Sequence, residues 1–181
     1  EAARALVAAG VTQLGESRPQ QLWEKAAALA EEKVSWHFIG SLQRNKARRT
    51  VEVASLIHSL DSLRLADAIQ EYAAAAGILV NVLVEVNISG DATKHGVEPA
   101  AVASLLAYVA GLDHLRVRGL MTMSHREGGP EVARGDFAAL RELRDQLRAA
   151  APPAIGVVGR RSVQRAGMMD ADRAGLAGHL H

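Results

Sequence analysis

The sequence predicts an α/β fold, a parallel sheet covered by helices. Three observations carry this. Short apolar runs alternate with amphipathic stretches at least five times, at intervals of roughly 20–40 residues. Ile78 to Ile88 (Ile-Leu-Val-Asn-Val-Leu-Val-Glu-Val-Asn-Ile) is nearly continuous in apolar residues, so both its faces are buried, as in a parallel sheet. The early runs end at glycine and feed straight into helix starts, at Gly15 and at Gly40. Right-handed crossovers follow from this alternation. Periodicity alone does not say whether the sheet stays open or closes into a barrel.

Composition sets the outer limits. A chain of 181 residues suits one domain with a sizeable core. Apolar residues are 49% and charged residues 23%, the balance of a globular protein. A net charge of +1 gives no bulk attraction to nucleic acid or to anionic membrane. With no cysteine there is no disulfide, no thiolate metal site and no cysteine nucleophile. The seven histidines show no metal-helix spacing, and His179 and His181 read as tail. No run is apolar and long enough to span a bilayer, and no signal peptide is evident, so the cytoplasm is the expected location.

The elements follow in order. Glu1 to Ala9 is alanine-rich and helical in character, with Gly10 as its C-cap, and Val11 to Leu14 is a short strand. Ser17 is an N-cap candidate and Pro19 fits a first helical turn. Leu22, Ala26 and Leu29 then share one face. Ser35 to Ile39 is a strand ended by Gly40, with Ser41 as the cap of a basic helix carrying Arg44, Lys46, Arg48 and Arg49. Leu56 to Leu60 is the next strand, and Asp61 is the expected cap of a helix closed by Gly77. His58 reads as a satisfied strand histidine rather than a base, since no partner is evident. Within Ile78 to Ile88, Glu85 and Asn87 lie on one side at period two; they are either ligand-facing groups or a buried structural pair. A polar loop, Ser89 to Val97, leads to a helix with Pro99 in its first turn and Val102, Leu105, Leu106 and Val109 on one face. Leu115 to Met123 is the fifth strand, and Phe137, Leu140, Arg144 and Leu147 mark a last amphipathic helix.

The most specific stretch is Trp36-His37-Phe38-Ile39-Gly40-Ser41-Leu42-Gln43-Arg44-Asn45-Lys46. It resembles the Trp-His-Phe-Ile-Gly-x-Leu-Gln-x-Asn-Lys segment of the pyridoxal phosphate homeostasis proteins (the YggS/PROSC type). Gly15-Glu16-Ser17 is similar to that family's Gly-Glu-Asn, with Ser17 in the asparagine's place, and serine loses the amide fork. His58 to Asp61 is similar to its His-Ser/Thr-Leu/Ile-Asp segment. Lys94 stands where the family has a loop lysine that is not its Schiff-base lysine, and Leu115 to Met121 matches its Leu-Arg-x-Arg-Gly-Leu-Met. The likeness runs from about Gly10 to Leu147, some three quarters of the chain.

The resemblance implies a (β/α)8 TIM-like barrel of the alanine racemase N-terminal type, one domain over 1–181. It also implies pyridoxal 5′-phosphate as cofactor. The family's aldimine lysine, on a first strand, has no counterpart here, and Ser162 and Gly167 only echo its phosphate segment, with Met169 where a serine is expected. The expectation is therefore a barrel without its first strand, with its last strand absent or altered and 152–181 a diverged tail. The residues expected toward the cofactor are Ser17, His37, Gly40, Asn45, Lys94 and Met121, with Ser162 and Gly167 as a degraded phosphate end. Bland readings stand beside these: Ser17 as a cap only, Asn45 and Lys46 as helix-end polarity, and Met121 as core.

The implied function is a carrier in vitamin B6 homeostasis, not an enzyme. It holds the cofactor without substrate turnover and delivers it to pyridoxal phosphate-dependent enzymes, with no nucleic-acid or membrane partner. This chain is expected to be impaired in covalent binding. The alternatives are an amino-acid racemase or decarboxylase relative, which needs a second acid/base group and a further domain, and a scaffold that binds no cofactor.

Overall fold

The computed structural model describes residues 2–91, 95–124 and 129–150. Five strands and six α-helices follow in order: α1 (Ala2–Ala8), β1 (Gln13–Glu16), α2 (Pro19–Ala28), β2 (Ser35–Phe38), α3 (Arg44–Val51), β3 (Leu56–Leu60), α4 (Leu63–Ala76), β4 (Val80–Glu85), α5 (Val102–Val109), β5 (Leu115–Met121) and α6 (Gly129–Ala150). A 3₁₀ turn, Pro99–Ala101, leads into α5, as the proline predicts. Each expected strand and helix is present, with ends shifted by one or two residues in most cases.

All strand pairs are parallel, and the order in space is β1-β2-β3-β4-β5. Order in the chain therefore equals order in the sheet, as among neighbouring staves of a (β/α) barrel. Right-handed crossovers in one direction place the connecting helices on one face. Among the described residues the sheet is open, with β1 and β5 at its edges.

The core lies between that face and the helices. Trp36, Phe38, Ile57, Leu60, Val80, Val82 and Val84 meet Leu22, Ala47, Val51, Leu65, Ile69, Val102 and Leu106 there. Gly77 ends α4 in the left-handed conformation, at φ 65°, which glycine adopts without steric cost.

The helix caps differ from the sequence expectation. α2 is not capped by Ser17: its N-cap is Arg18, without a side-chain bond, and the Glu16 carboxylate accepts the backbone N–H groups of Ser17 and Arg18 at 2.8 and 3.0 Å. A carboxylate from the strand end does the serine's work with a full negative charge. Likewise α3 begins after Gln43 rather than at Ser41. The α4 cap is Ser62, whose Oγ accepts from Leu65 N–H and donates to Asp61. Asp61 thus supports the cap from one residue upstream.

Candidate functional site

The second face of the sheet carries the polar residues. On β4, Val80, Val82, Val84 and Val86 join the helix-side core. Strand alternation turns Leu83, Glu85 and Asn87 the other way. The register extends this inner face sideways, setting Met121 beside Glu85, Gly119 beside Leu83, and Gly15 beside His37.

β3 breaks the alternation. Ile57 pairs with Val82 and Leu60 with Val84, both on the helix side, so His58 and Ser59 together oppose the single residue Leu83. Such a bulge turns two successive side chains to one face. Here it delivers an imidazole and a hydroxyl side by side.

His58 then meets His37 of β2. The His58 Nε2 and His37 Nδ1 lie 3.2 Å apart, with ring centroids 5.2 Å apart and planes tilted by 44°. One nitrogen donates and the other accepts, so the accepting imidazole is neutral. Burial pushes the His37 imidazole below its ordinary value. Burial, and after it the His37 charge, pushes His58 down to about 4. His58 therefore has a structural partner, as expected, and the partner is another histidine.

Two further polar groups are buried on this face. The Ser59 hydroxyl is buried, with the residue 1% exposed, and makes no hydrogen bond. Glu85 is 7% exposed. Among the described residues its carboxyl accepts no side-chain hydrogen bond. Burial pushes it above the ordinary range, the neighbouring Asp61 pushes it further, and His95 pulls it partly back.

The backbone around Glu85 is fixed. The Val97 N–H donates to the Glu85 carbonyl at 2.8 Å and the Asn87 N–H to the Val97 carbonyl at 2.9 Å. Gly96 between them has φ +111°, and a Cβ there would stand 2.7 Å from the Asn87 nitrogen. Only glycine fits that turn. On the other side the Val86 N–H donates to Met121 and the Thr122 hydroxyl donates to the Val86 carbonyl, both at 2.8 Å.

The predicted residues divide as follows. His37 and Met121 lie on the inner face, Met121 next to Glu85. Ser17 and Gly40 meet through the backbone: a Cβ on Gly40 would lie 2.0 Å from the Ser17 carbonyl oxygen. Gly40 thus lets the ends of β1 and β2 close together, and the Ser17 side chain is exposed. Asn45 is apart from these. It is exposed and lines an outer groove of about 570 Å3 between α3 and α4, with Arg44, Arg64, Asp67 and Glu71. Lys94, Ser162 and Gly167 lie outside the described residues.

Sequence reasoning passed over Ser59 and set Glu85 between two readings. One signal for Ser59 was present. His58-Ser59 puts two adjacent polar residues inside an apolar strand, which period two does not allow on a single face.

The implied cofactor can be tested against these groups. The unpartnered Ser59 hydroxyl, the histidine pair and the Glu85 carboxyl suit a small polar ligand held without a covalent bond. They do not supply an aldimine lysine. Lys25 is on α2 and forms an ion pair with Glu16, Lys33 is exposed ahead of β2, and Lys46 is on α3. No group of three or more metal-ligating side chains occurs among the described residues. No helix among them is long and apolar enough to cross a membrane.

Comparison with known proteins places this geometry. The family model of the alanine racemase N-terminal domain matches residues 1–162. The pyridoxal phosphate homeostasis protein of Aquifex aeolicus is 44% identical over 139 residues, covering 77% of this chain and 61% of that protein. The protein of the same name from Pseudomonas aeruginosa is 38% identical over 142 residues, 78% of this chain and 62% of that one. The chain thus spans about three fifths of the length of these curated relatives. Among solved structures, PipY of Synechococcus elongatus without PLP superposes with a TM-score of 0.81 at 32% identity, over 86% of this chain and 73% of that one. PipY with PLP bound gives 0.78 at 30% identity, over 86% and 72%. Alanine racemase of Clostridium difficile, at 16% identity and a TM-score of 0.71, shares the fold. The chain belongs to the alanine racemase N-terminal domain family, in the part of it that PipY and the pyridoxal phosphate homeostasis proteins occupy.

Proposed function

We propose that this protein binds pyridoxal 5′-phosphate in intracellular vitamin B6 homeostasis, as a cytoplasmic carrier that turns over no substrate. One observation carries the reading: PipY, which matches 86% of this chain, has been solved with PLP bound. The inner face fits the role chemically. His37, Ser59, Glu85 and Met121 offer an imidazole, an unpartnered hydroxyl, a carboxyl and an apolar wall at the ends of neighbouring strands. A carrier needs groups that hold a cofactor and let it go, and recipients would be pyridoxal phosphate-dependent enzymes.

The placement of the described lysines favours weak, non-covalent binding by this chain. It also supports a second reading, a scaffold that binds no cofactor. The test is an absorbance titration with pyridoxal 5′-phosphate, followed by borohydride reduction and mass spectrometry. The carrier reading expects saturable binding with no adduct on Lys25, Lys33 or Lys46. An adduct on one of these three would overturn the non-covalent assignment. Absence of saturable binding would leave the scaffold reading standing.

A further inference from the structure

Three successive helices begin with an arginine. Arg18 is the N-cap of α2, Arg44 the first residue of α3 and Arg64 the second residue of α4. All three are exposed, and Lys46 adds a further cation to the first turn of α3. None of the three first turns contains an acidic residue. A helix start carries a partial positive charge, so an acid is favoured there and a cation is not. Helix stability alone does not account for the same unfavourable choice at three neighbouring places.

The topology sets these arginines in a row. β1, β2 and β3 are adjacent and parallel, and each following helix starts within six residues of the end of its strand. Arg18, Arg44 and Arg64 therefore line one rim of the sheet, at the C-terminal strand ends. Arg44 and Arg64 share the outer groove between α3 and α4. The inner-face groups lie at the same end. His37 and Ser59 are the last but one residues of β2 and β3, and Glu85 and Met121 are the last of β4 and β5.

The carboxylates near this rim have other partners. Glu16 is bonded to Lys25 and to two backbone N–H groups. Asp61 accepts from the Ser62 hydroxyl at 3.0 Å and Asp67 from the Tyr108 hydroxyl at 2.6 Å. Glu71 lies two turns along α4 from Arg64. Among the described residues no carboxylate forms an ion pair with Arg18, Arg44 or Arg64. The chain as a whole has a net charge of +1, so its pull on an anion comes from local clusters such as this one.

We infer that Arg18, Arg44 and Arg64 recruit the phosphate of the vitamin B6 ligand, drawing it to the rim and speeding its arrival at the inner face. This rests on the functional reading above. Charges at the mouth of a site raise the local concentration of an oppositely charged ligand, and with it the association rate. Arg44 and Arg64 line the outer groove rather than the inner face, so they guide the ligand in and do not hold it once bound.

The experiment is stopped-flow association and dissociation of pyridoxal 5′-phosphate, at low and at high salt. It compares the full chain with a variant carrying Arg18→Gln, Arg44→Gln and Arg64→Gln together. Pyridoxal, which lacks the phosphate, is the control ligand, and thermal melting without ligand checks the fold. The expected result at low salt is association slower by roughly fivefold or more in the variant, with dissociation unchanged. The difference should vanish near 1 M salt, where the screening length is about 3 Å. Pyridoxal should associate equally fast with both proteins. An unchanged association rate for pyridoxal 5′-phosphate overturns the inference while leaving the functional reading intact. Equal slowing for pyridoxal, with a lowered melting temperature, also overturns it, since the substitutions would then disturb the inner face itself. Faster dissociation with unchanged association overturns it too, because the arginines would then hold the bound ligand. If the unsubstituted chain does not bind pyridoxal 5′-phosphate, the functional reading itself fails and this inference falls with it.

Discussion

The two faces of the same sheet follow opposite rules. On the helix side, Trp36, Phe38, Val82 and Val84 pack against α2 to α5, and the charged Glu16 there is bonded to Lys25 and to two backbone N–H groups. Burial pushes the Glu16 carboxyl up, and the Lys25 and backbone bonds more than reverse it, so it ends below its ordinary value. On the inner face Asn87 is bonded to the Asp91 carbonyl and to Ser89, but two imidazoles share one contact, Ser59 has no partner, and the Glu85 carboxyl is raised. The helix side matches its buried carboxylate within the chain, and among the described residues leaves the Trp23 indole N–H without a bond. The other keeps unmatched groups on a rigid backbone, which is how a protein holds a surface ready for something else. Stability and ligand chemistry are thus separated by the alternation of the strands.

The comparison is tested most strongly on the helix side. Phe38 is fully buried, between strand and helices. Truncation to alanine removes a large apolar side chain from a close-packed layer. Phe38→Ala should destabilise the chain by about 3–5 kcal/mol. Urea unfolding of the variant against the parent checks this. A loss under about 1 kcal/mol would mean the helix layer is loosely packed, against the scale expected for buried aromatic truncation.

Next in size is the pH response of the histidine pair. In the folded chain His58 titrates at about 4, against an ordinary value of 6.5. As pH falls below 6.5 the unfolded chain takes up this proton and the folded chain does not. Stability is therefore complete above 6.5, declines between 6.5 and about 4, and levels off below. The full loss amounts to at most about 3 kcal/mol. Glu85 acts in the opposite sense: its raised carboxyl is protonated first in the folded chain, which adds stability as the pH falls. The two are separated by comparing the parent with His58→Gln. Urea midpoints at several pH values between 7.5 and 5 should fall in the parent and fall less in the variant. Parallel slopes would show that the imidazole pair is not held neutral.

Much of this fold was legible in the sequence because apolar periodicity reports burial, and burial is what the helix side consists of. The five strands, Gly77 as a left-handed cap and the Pro99 turn all follow local rules. The family likeness at Trp36 to Lys46 was legible for a different reason, the specificity of eleven residues in order. The site was less so. Which residues share the inner face depends on the bulge in β3, which periodicity reads as a regular strand. The contact of His37 with His58 joins residues 21 apart and has no local signature. Capping of α2 by Glu16 rather than Ser17 was hidden because both residues are good acceptors, and only the strand direction decides which one reaches the helix. Asn45 belongs to the most recognisable segment, yet its side chain faces the outer groove.

The smallest effect is the most pointed, because its sign differs between the two faces. Ser59 is buried on the inner face and its hydroxyl has no partner. On the helix side, removing a bonded polar group such as Glu16 deprives α2 of acceptors and destabilises. At Ser59 the same kind of deletion removes an unmatched group from a low-dielectric layer. Ser59→Ala should therefore leave stability unchanged or raise it by up to about 1 kcal/mol, read as the shift in urea midpoint without ligand. If the hydroxyl serves a ligand, the same variant should bind pyridoxal 5′-phosphate more weakly although it is no less stable. A clear loss of stability would instead mean that the hydroxyl is matched in the folded chain. The contrast between the faces would then narrow to the histidine pair and Glu85. A gain in stability together with weaker binding is the pattern that a surface kept ready for a ligand requires, and no purely structural role for Ser59 produces both.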